Sequence, residues 1–304
     1  MITERGSLII IFFRVGRLVI IIGCAKINRQ ENGKDAMKNR QVTTGYSNNG
    51  LPYFRIHGGP QNLVIFEGLS FNHRPLTGLT LRVMSNSYKR FAEHFTIYYV
   101  NRKPGLPSEY SIQNMSDDYA TMVRNEIKTP VDIMGISTGG PIAQCFTVDH
   151  PELARRLVLA MTGFRLSDSG AKLQRKIIDT TREKKWRAAA AAMADGMTSG
   201  VLNPASKIIF WLFGKVIFGA ADNVSDGLVE LEAEEKFNFK EHLEDIKSPT
   251  LVIGGENDNF YPIRETADGI PGAKLILYKK VGHTAMFKRR FNRDVISFLT
   301  RGMV

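Results

Sequence analysis

Residues 130–141, PVDIMGISTGGP, limit what this chain can become more than any other stretch. Val131, Ile133 and Met134 form a short apolar run without helical spacing, the pattern of a strand buried on both faces. Gly135, Ser137 and Gly139 then give the spacing G-x-S-x-G, and Ile142, Ala143, Phe146 and Thr147 follow at helical intervals. A serine at the tip of such a strand-to-helix turn sits in a strained backbone with its hydroxyl pushed outward, where it can serve as a nucleophile. Glycines flank it because a side chain at either position would strike the neighbouring strand or helix. The helix behind the serine also brings unpaired N–H groups and a positive dipole end to the place where negative charge develops in acyl transfer. Five residues of this kind also occur by chance in glycine-rich loops. The strand pattern before them and the helix pattern after them favour the nucleophile.

A chain of 304 residues can bury a full core, as one domain or as one domain with a small inserted element. Its 43% apolar and 23% charged residues are ordinary for a globular protein. Two cysteines, Cys24 and Cys145, make no disulfide framework, and no Cys/His group has metal-ligand spacing, so a reducing, cytoplasmic setting and no metal are expected. The net charge of +11 raises the question of nucleic acid. Much of that charge lies at the two ends, with Arg14, Arg17, Lys34 and Lys38 in one and Lys280, Lys288, Arg289 and Arg290 in the other. The aromatics beside the second cluster, Phe287 and Phe291, belong to the apolar face of an amphipathic helix and make no base-stacking platform, so a solvated surface is the expectation and nucleic acid is not. Gly58-Gly59 runs into Pro60 and a strand and opens no helix, so no phosphate loop and no nucleotide cofactor are implied.

The amino-terminal segment does not match the rest. Residues 7–23 are strongly apolar but hold Arg14 and Arg17, each costing about 2.5–3.5 kcal/mol at a bilayer centre, so a spanning helix and membrane contact are not favoured. As a secretory signal, the apolar run after Arg17 falls short of the roughly 7–15 residues required. Ile21-Ile22-Gly23-Cys24 resembles a lipoprotein cleavage box, which makes a lipidated Cys24 and a membrane-associated protein the alternative location. The preferred reading takes Met37 as the start and residues 1–40 as a leader outside the fold.

From Tyr53 the chain alternates strands and helices. Residues 53–56 and 62–66 read as strands, 81–95 as a helix, 95–100 as a strand, and Ser116 as the cap of the helix leading to the serine strand. Another strand follows at 157–160. Such alternation, about thirty residues per pair, predicts an α/β protein with a mostly parallel central sheet and helices on both faces. Residues 165–244 break it, with helical patterns at 186–193, 208–218 and 228–237 and no clear buried strand. This stretch is expected to be a helical cap inserted into a core made of residues 50–164 and 245–304. The apolar group from Ile208 to Phe218 is too rich for a solvated helix, and either packs on the core or lines an acyl pocket. Strands at 249–253 and 274–278 and an amphipathic helix with Phe287, Phe291, Val295, Ile296 and Leu299 close the chain.

A serine nucleophile needs a base, and the base needs a carboxylate to orient it. Asp258 lies just past one buried strand and His283 just past the next, so both emerge at the same sheet edge as Ser137. The order Ser, Asp, His and the G-x-S-x-G turn make residues 53–299 resemble the α/β-hydrolase fold family. That resemblance implies Ser137 as nucleophile, His283 as general base and then acid, and Asp258 as its orienter. It also implies an oxyanion hole from the backbone N–H groups of Leu69 and Thr138. Glu67 stands where the family commonly has a histidine, which leaves the main-chain donor in place but changes the bonding behind it. Glu256 is the substitute acid, with the wrong spacing to Pro262, while His57, His73, His94, His150 and His242 are expected to be structural or solvated. Asp258 has a plainer reading too, as a cap for the helix after Pro262. The expected activity is hydrolysis of small or acyl-chain carboxylic esters without a cofactor. Carbon–carbon bond hydrolases, acyltransferases and a non-catalytic binding protein of the same fold are the alternatives.

Overall fold

The structure, a computed structural model, describes residues 12–15, 18–21, 40–197, 203–217 and 224–301. Cys24 and Met37, on which the readings of the amino terminus depend, lie outside the described residues. Phe12–Val15 (β1) and Leu18–Ile21 (β2) pair antiparallel as a two-stranded sheet of their own.

Eight strands form the main sheet. They are Val42–Tyr46 (β3), Pro52–Ile56 (β4), Gln61–Phe66 (β5), Phe95–Val100 (β6), Val131–Ile136 (β7), Ala154–Ala160 (β8), Thr250–Gly255 (β9) and Lys274–Tyr278 (β10). Their spatial order is β10-β9-β8-β7-β5-β6-β4-β3, with every pair from β10 to β6 parallel and the two pairs among β6, β4 and β3 antiparallel. The sheet therefore begins ahead of residue 50. The strand Val42–Tyr46 escaped the sequence because it is an edge strand, half open to solvent, with threonines and a glycine where a buried strand carries apolar residues.

The pleat explains how one sheet carries two cores. Val64 and Phe66 of β5 and Val131 and Ile133 of β7 point to one face, with Leu63, Ile65, Met134 and Ile136 on the other, and all are buried. The first face is covered by Ile112–Met122 (α2), Gly139–Asp149 (α3) and Ile263–Gly269 (α8), through Met115, Tyr119, Phe146 and Ile263. The second is covered by Gly78–Ser87 (α1) and Phe291–Leu299 (α9), through Leu81, Met84, Phe291, Val295 and Leu299. Full burial of one such side chain stabilises the fold by about 1.5–3 kcal/mol. Helix α2 begins one turn before the expected cap. Ser111 is its N-cap, in a capping box with Asn114, while Ser116 lies inside the helix and is fully buried.

Between β8 and β9 the chain inserts four helices: Asp168–Arg182 (α4), Trp186–Met197 (α5), Asn203–Ile217 (α6) and Val224–Glu235 (α7). Helix α4 has no broad apolar face to announce it, only Ile177 and Ile178 among its long buried side chains. On α6, Phe210 packs against the first core, as expected, while Ile208, Trp211 and Leu212 are exposed, with Arg187 over the Trp211 ring at 4.6 Å. No described helix is long and apolar enough to cross a membrane.

The strand order also places the site. From β5 the chain steps to β6 on one side, then returns across to β7 and continues outward through β8, β9 and β10. Neighbouring connections therefore diverge between β5 and β7, and the crevice at their carboxyl ends is where open α/β sheets hold ligands.

Candidate active site

The turn after β7 carries Ser137 with φ of +50°, in the left-handed region that a non-glycine residue enters only under strain. The strain is held by packing on all sides. The Ser137 N–H donates to the Ala160 carbonyl at 3.0 Å, and its carbonyl accepts the Gly140 N–H at 2.8 Å. A Cβ on Gly139 would stand 2.3 Å from the Phe66 carbonyl oxygen and 2.5 Å from that of Glu67, so only glycine lets α3 start this close to the end of β5.

Two further loops bring the remaining side chains in. Imidazole Nε2 of His283, after β10, lies 2.9 Å from Ser137 Oγ, and its Nδ1 lies 2.8 Å from Asp258 Oδ2, after β9. The other Asp258 oxygen accepts the N–H groups of Phe260 at 2.9 Å and Tyr261 at 3.2 Å. One carboxylate thus fixes its own loop ahead of α8 and orients the imidazole. Phe260 meets His283 edge-on at 5.1 Å and Tyr261 stacks on it at 5.6 Å, so the ring is held from its flanks. His283 is 9% exposed and Asp258 1%, which leaves a cavity as the route to the imidazole. Glu256 is exposed and bonds only through its backbone N–H, to Tyr278, so the structure brings Asp258 and not Glu256 to the histidine.

That cavity, of about 340 Å³, has Ser137, Leu69 and Thr138 in its wall. Methionines supply much of the rest: Met84, Met161, Met193, Met197 and Met286. Polarizable, unbranched side chains of this kind adapt to ligands of differing shape. Ile177 of α4, Met193 of α5 and Leu231 of α7 close it from the inserted helices. No arginine or lysine is among its described lining residues.

Two carboxyls near the site are perturbed. Glu67 is pushed up to about 7 because burial disfavours its charge, against the pull of the Arg102 guanidinium and a hydrogen bond from Tyr99. Glu234 of α7 is likewise pushed up to about 7 by burial, although the Tyr261 hydroxyl donates to its Oε1 at 2.5 Å. Neither Glu234 nor Tyr261 is conspicuous in the sequence, since ELEAEE on α7 reads as a solvated charge run. The same is true of Glu230, fully buried and paired with Arg102. His73 is buried, its ring nitrogens on the carbonyls of Lys103 and Ser70 at 3.1 and 3.0 Å. His150 and His242 sit near the surface beside Asp117 and Asp245. Among the described residues no three metal-ligating side chains are grouped to hold an ion.

The sequence profile of the alpha/beta hydrolase family matches residues 56–292. A 2-hydroxy-6-oxononadienedioate/2-hydroxy-6-oxononatrienedioate hydrolase of Burkholderia vietnamiensis is 28% identical over 186 residues, 56% of this chain and 62% of that protein. The match thus spans less than two thirds of the relative's length. Among solved structures, a hydrolase of Pseudomonas aeruginosa superposes with a TM-score of 0.67 at 17% identity, covering 88% of this chain and 98% of that one. The enol-lactonase of Burkholderia xenovorans does so with 0.66 at 18%, covering 85% and 100%. At such identities these two likenesses speak for the fold.

Proposed function

The chain belongs to the alpha/beta hydrolase family, and on that premise we propose that it is a serine hydrolase cleaving carboxylic esters through an acyl-enzyme on Ser137. One observation carries the reading. The continuous hydrogen-bonded line from Ser137 Oγ through His283 to Asp258, at 2.9 and 2.8 Å, opens on an apolar cavity. In this reaction Ser137 Oγ attacks the ester carbonyl carbon while His283 Nε2 takes its proton. Asp258 keeps the Nδ1 proton in place and stabilises the imidazolium. The tetrahedral oxyanion is held by the N–H groups of Leu69 and Thr138, with the amino end of α3 adding its dipole. Collapse returns the proton from Nε2 to the leaving alcohol, and a water activated by the same imidazole then releases the acid.

The lining supports an uncharged ester. A dioate of the kind named for the Burkholderia vietnamiensis relative carries two carboxylates, which need cationic or strongly donating partners once desolvated. The described wall offers a carboxyl, Glu67, and no arginine or lysine. Carbon–carbon bond hydrolysis is the second reading, supported by that relative's name and by the same triad chemistry. Labelling with a fluorophosphonate probe, with Ser137→Ala as control, separates an enzyme from a binding protein of the same fold. p-Nitrophenyl esters of graded chain length, set against 2-hydroxy-6-oxononadienedioate, separate the two reactions. Turnover of the dienedioate alone would replace the ester reading.

A further inference from the structure

Arg102, in the loop after β6, is 1% exposed, and the chemistry above makes no use of it. Its Nη1 donates to the carbonyl oxygen of Glu67 at 2.5 Å. Its Nη2 donates to the carbonyl oxygen of Gly68 and to Thr138 Oγ1, both at 3.1 Å. The guanidinium is paired with the carboxylate of Glu230 on α7, 0% exposed, and the Thr138 hydroxyl donates to that same carboxylate. Helix α7 is tied to this loop a second time, where Asp226 accepts the N–H groups of Gly105 and Leu106, each at 2.9 Å.

The peptide plane gives this arrangement its consequence. In a trans peptide unit the carbonyl of one residue and the N–H of the next point in opposite directions. Arg102 draws the Gly68 carbonyl toward itself and so turns the Leu69 N–H the other way, toward the cavity that Leu69 lines. The same nitrogen holds Thr138 by its hydroxyl, and Thr138 bears the second N–H of the oxyanion hole. One planar, multidentate group thus sets both donors relative to each other, which a single point charge cannot do. A buried ion pair is often no more stabilising than apolar residues of the same volume, so what this pair supplies is geometry.

We propose that Arg102 and Glu230 are positioning residues for the two oxyanion donors, so that α7 of the inserted helices sets the geometry of a hole built by the β5 and β7 loops. The inference rests on the reading of Ser137 as nucleophile, and its test keeps the two apart. Wild type, Arg102→Lys, Glu230→Gln, Thr138→Val and Thr138→Ser are compared for kcat and KM on a p-nitrophenyl ester. Affinities are measured in parallel for an alkyl boronic acid, which mimics the tetrahedral state, and for the corresponding alcohol, which does not. Expected for Arg102→Lys, Glu230→Gln and Thr138→Val is a ten- to hundred-fold loss of kcat with KM within about twofold. Boronate affinity should fall in step while alcohol affinity is kept, and Thr138→Ser should lose markedly less than Thr138→Val. If Glu230→Gln or Arg102→Lys fails to fold, the two Thr138 variants decide. Folded Thr138→Val with kcat and boronate affinity near wild type overturns the proposal, as does an equal loss in Thr138→Ser. A wild type that neither turns over the ester nor binds the boronate overturns the Ser137 reading and this inference together.

Discussion

At the scale of single residues, Ser137 and His283 sit at loop ends facing a cavity. Ser137→Ala and His283→Ala should abolish ester turnover, by a factor of about 10³ or more. The melting temperature should stay close to wild type in Ser137→Ala and fall in His283→Ala, which leaves the buried Asp258 carboxylate without its imidazole partner. Asp258→Asn should also lose a large factor, because the amide favours the wrong imidazole tautomer, whereas Glu256→Gln should lose little; the opposite ranking would move the acid. The pH profile should have an alkaline limb. Activity falls above about 7, where Glu67 ionises and sets a carboxylate in the wall of the cavity that Ser137 also lines. Glu67→Gln should remove this limb, as a pH–rate series would record. Stability follows the same sign. A carboxyl raised in the folded state from its ordinary value of 4.5 to about 7, as Glu234 is, favours folding below about 4.5 and loses that contribution as pH rises through about 7. Calorimetry of Glu234→Gln should thus find a higher melting point than wild type at pH 8 and no gain at pH 4. Ser137, Asp258 and His283 could be placed at one sheet edge from the sequence because each follows a strand that its apolar run announces, although β10 proves half exposed. Arg102, Glu230 and Glu234 could not, since a buried carboxylate and a solvated one look alike until the partner from a distant element is known.

At the scale of elements, the parallel strands and the covering helices could be read because each carries its period plainly. The edge strand β3, polar and half exposed, and helix α4, poor in apolar residues, carry too few of them to register. Helix α6 divides, with Ile208, Trp211 and Leu212 outward and Phe210 against the first core. The close approach of α3 to β5 gives a test of the turn itself. Gly139→Ala puts a methyl group into the carbonyl oxygens of Phe66 and Glu67, at 2.3 and 2.5 Å, where backbone on both sides cannot yield. A loss of about 1–3 kcal/mol in stability is expected, with ester turnover falling further than stability because the displaced turn carries Ser137 two residues before. Denaturant melts beside kcat measurements on the folded fraction would separate the two.

At the scale of the whole molecule, the site is assembled from nearly the full span of the chain, from Glu67 to His283. The strand before its last member is an edge of the sheet. Among the described residues β10 pairs only with β9 and is half exposed along its length, while β9 is buried throughout. Free energies of local opening differ across a protein, and an outer strand with one partner opens before its neighbours. When β10 lifts away, the loop holding His283 goes with it, while the buried central strands β5 to β9 stay paired. The protein should then have a temperature range in which it has stopped working without having unfolded. Amide hydrogen exchange should find residues 274–283 unprotected ahead of the central strands, and cooling from that range should return full activity within the time of reclosure.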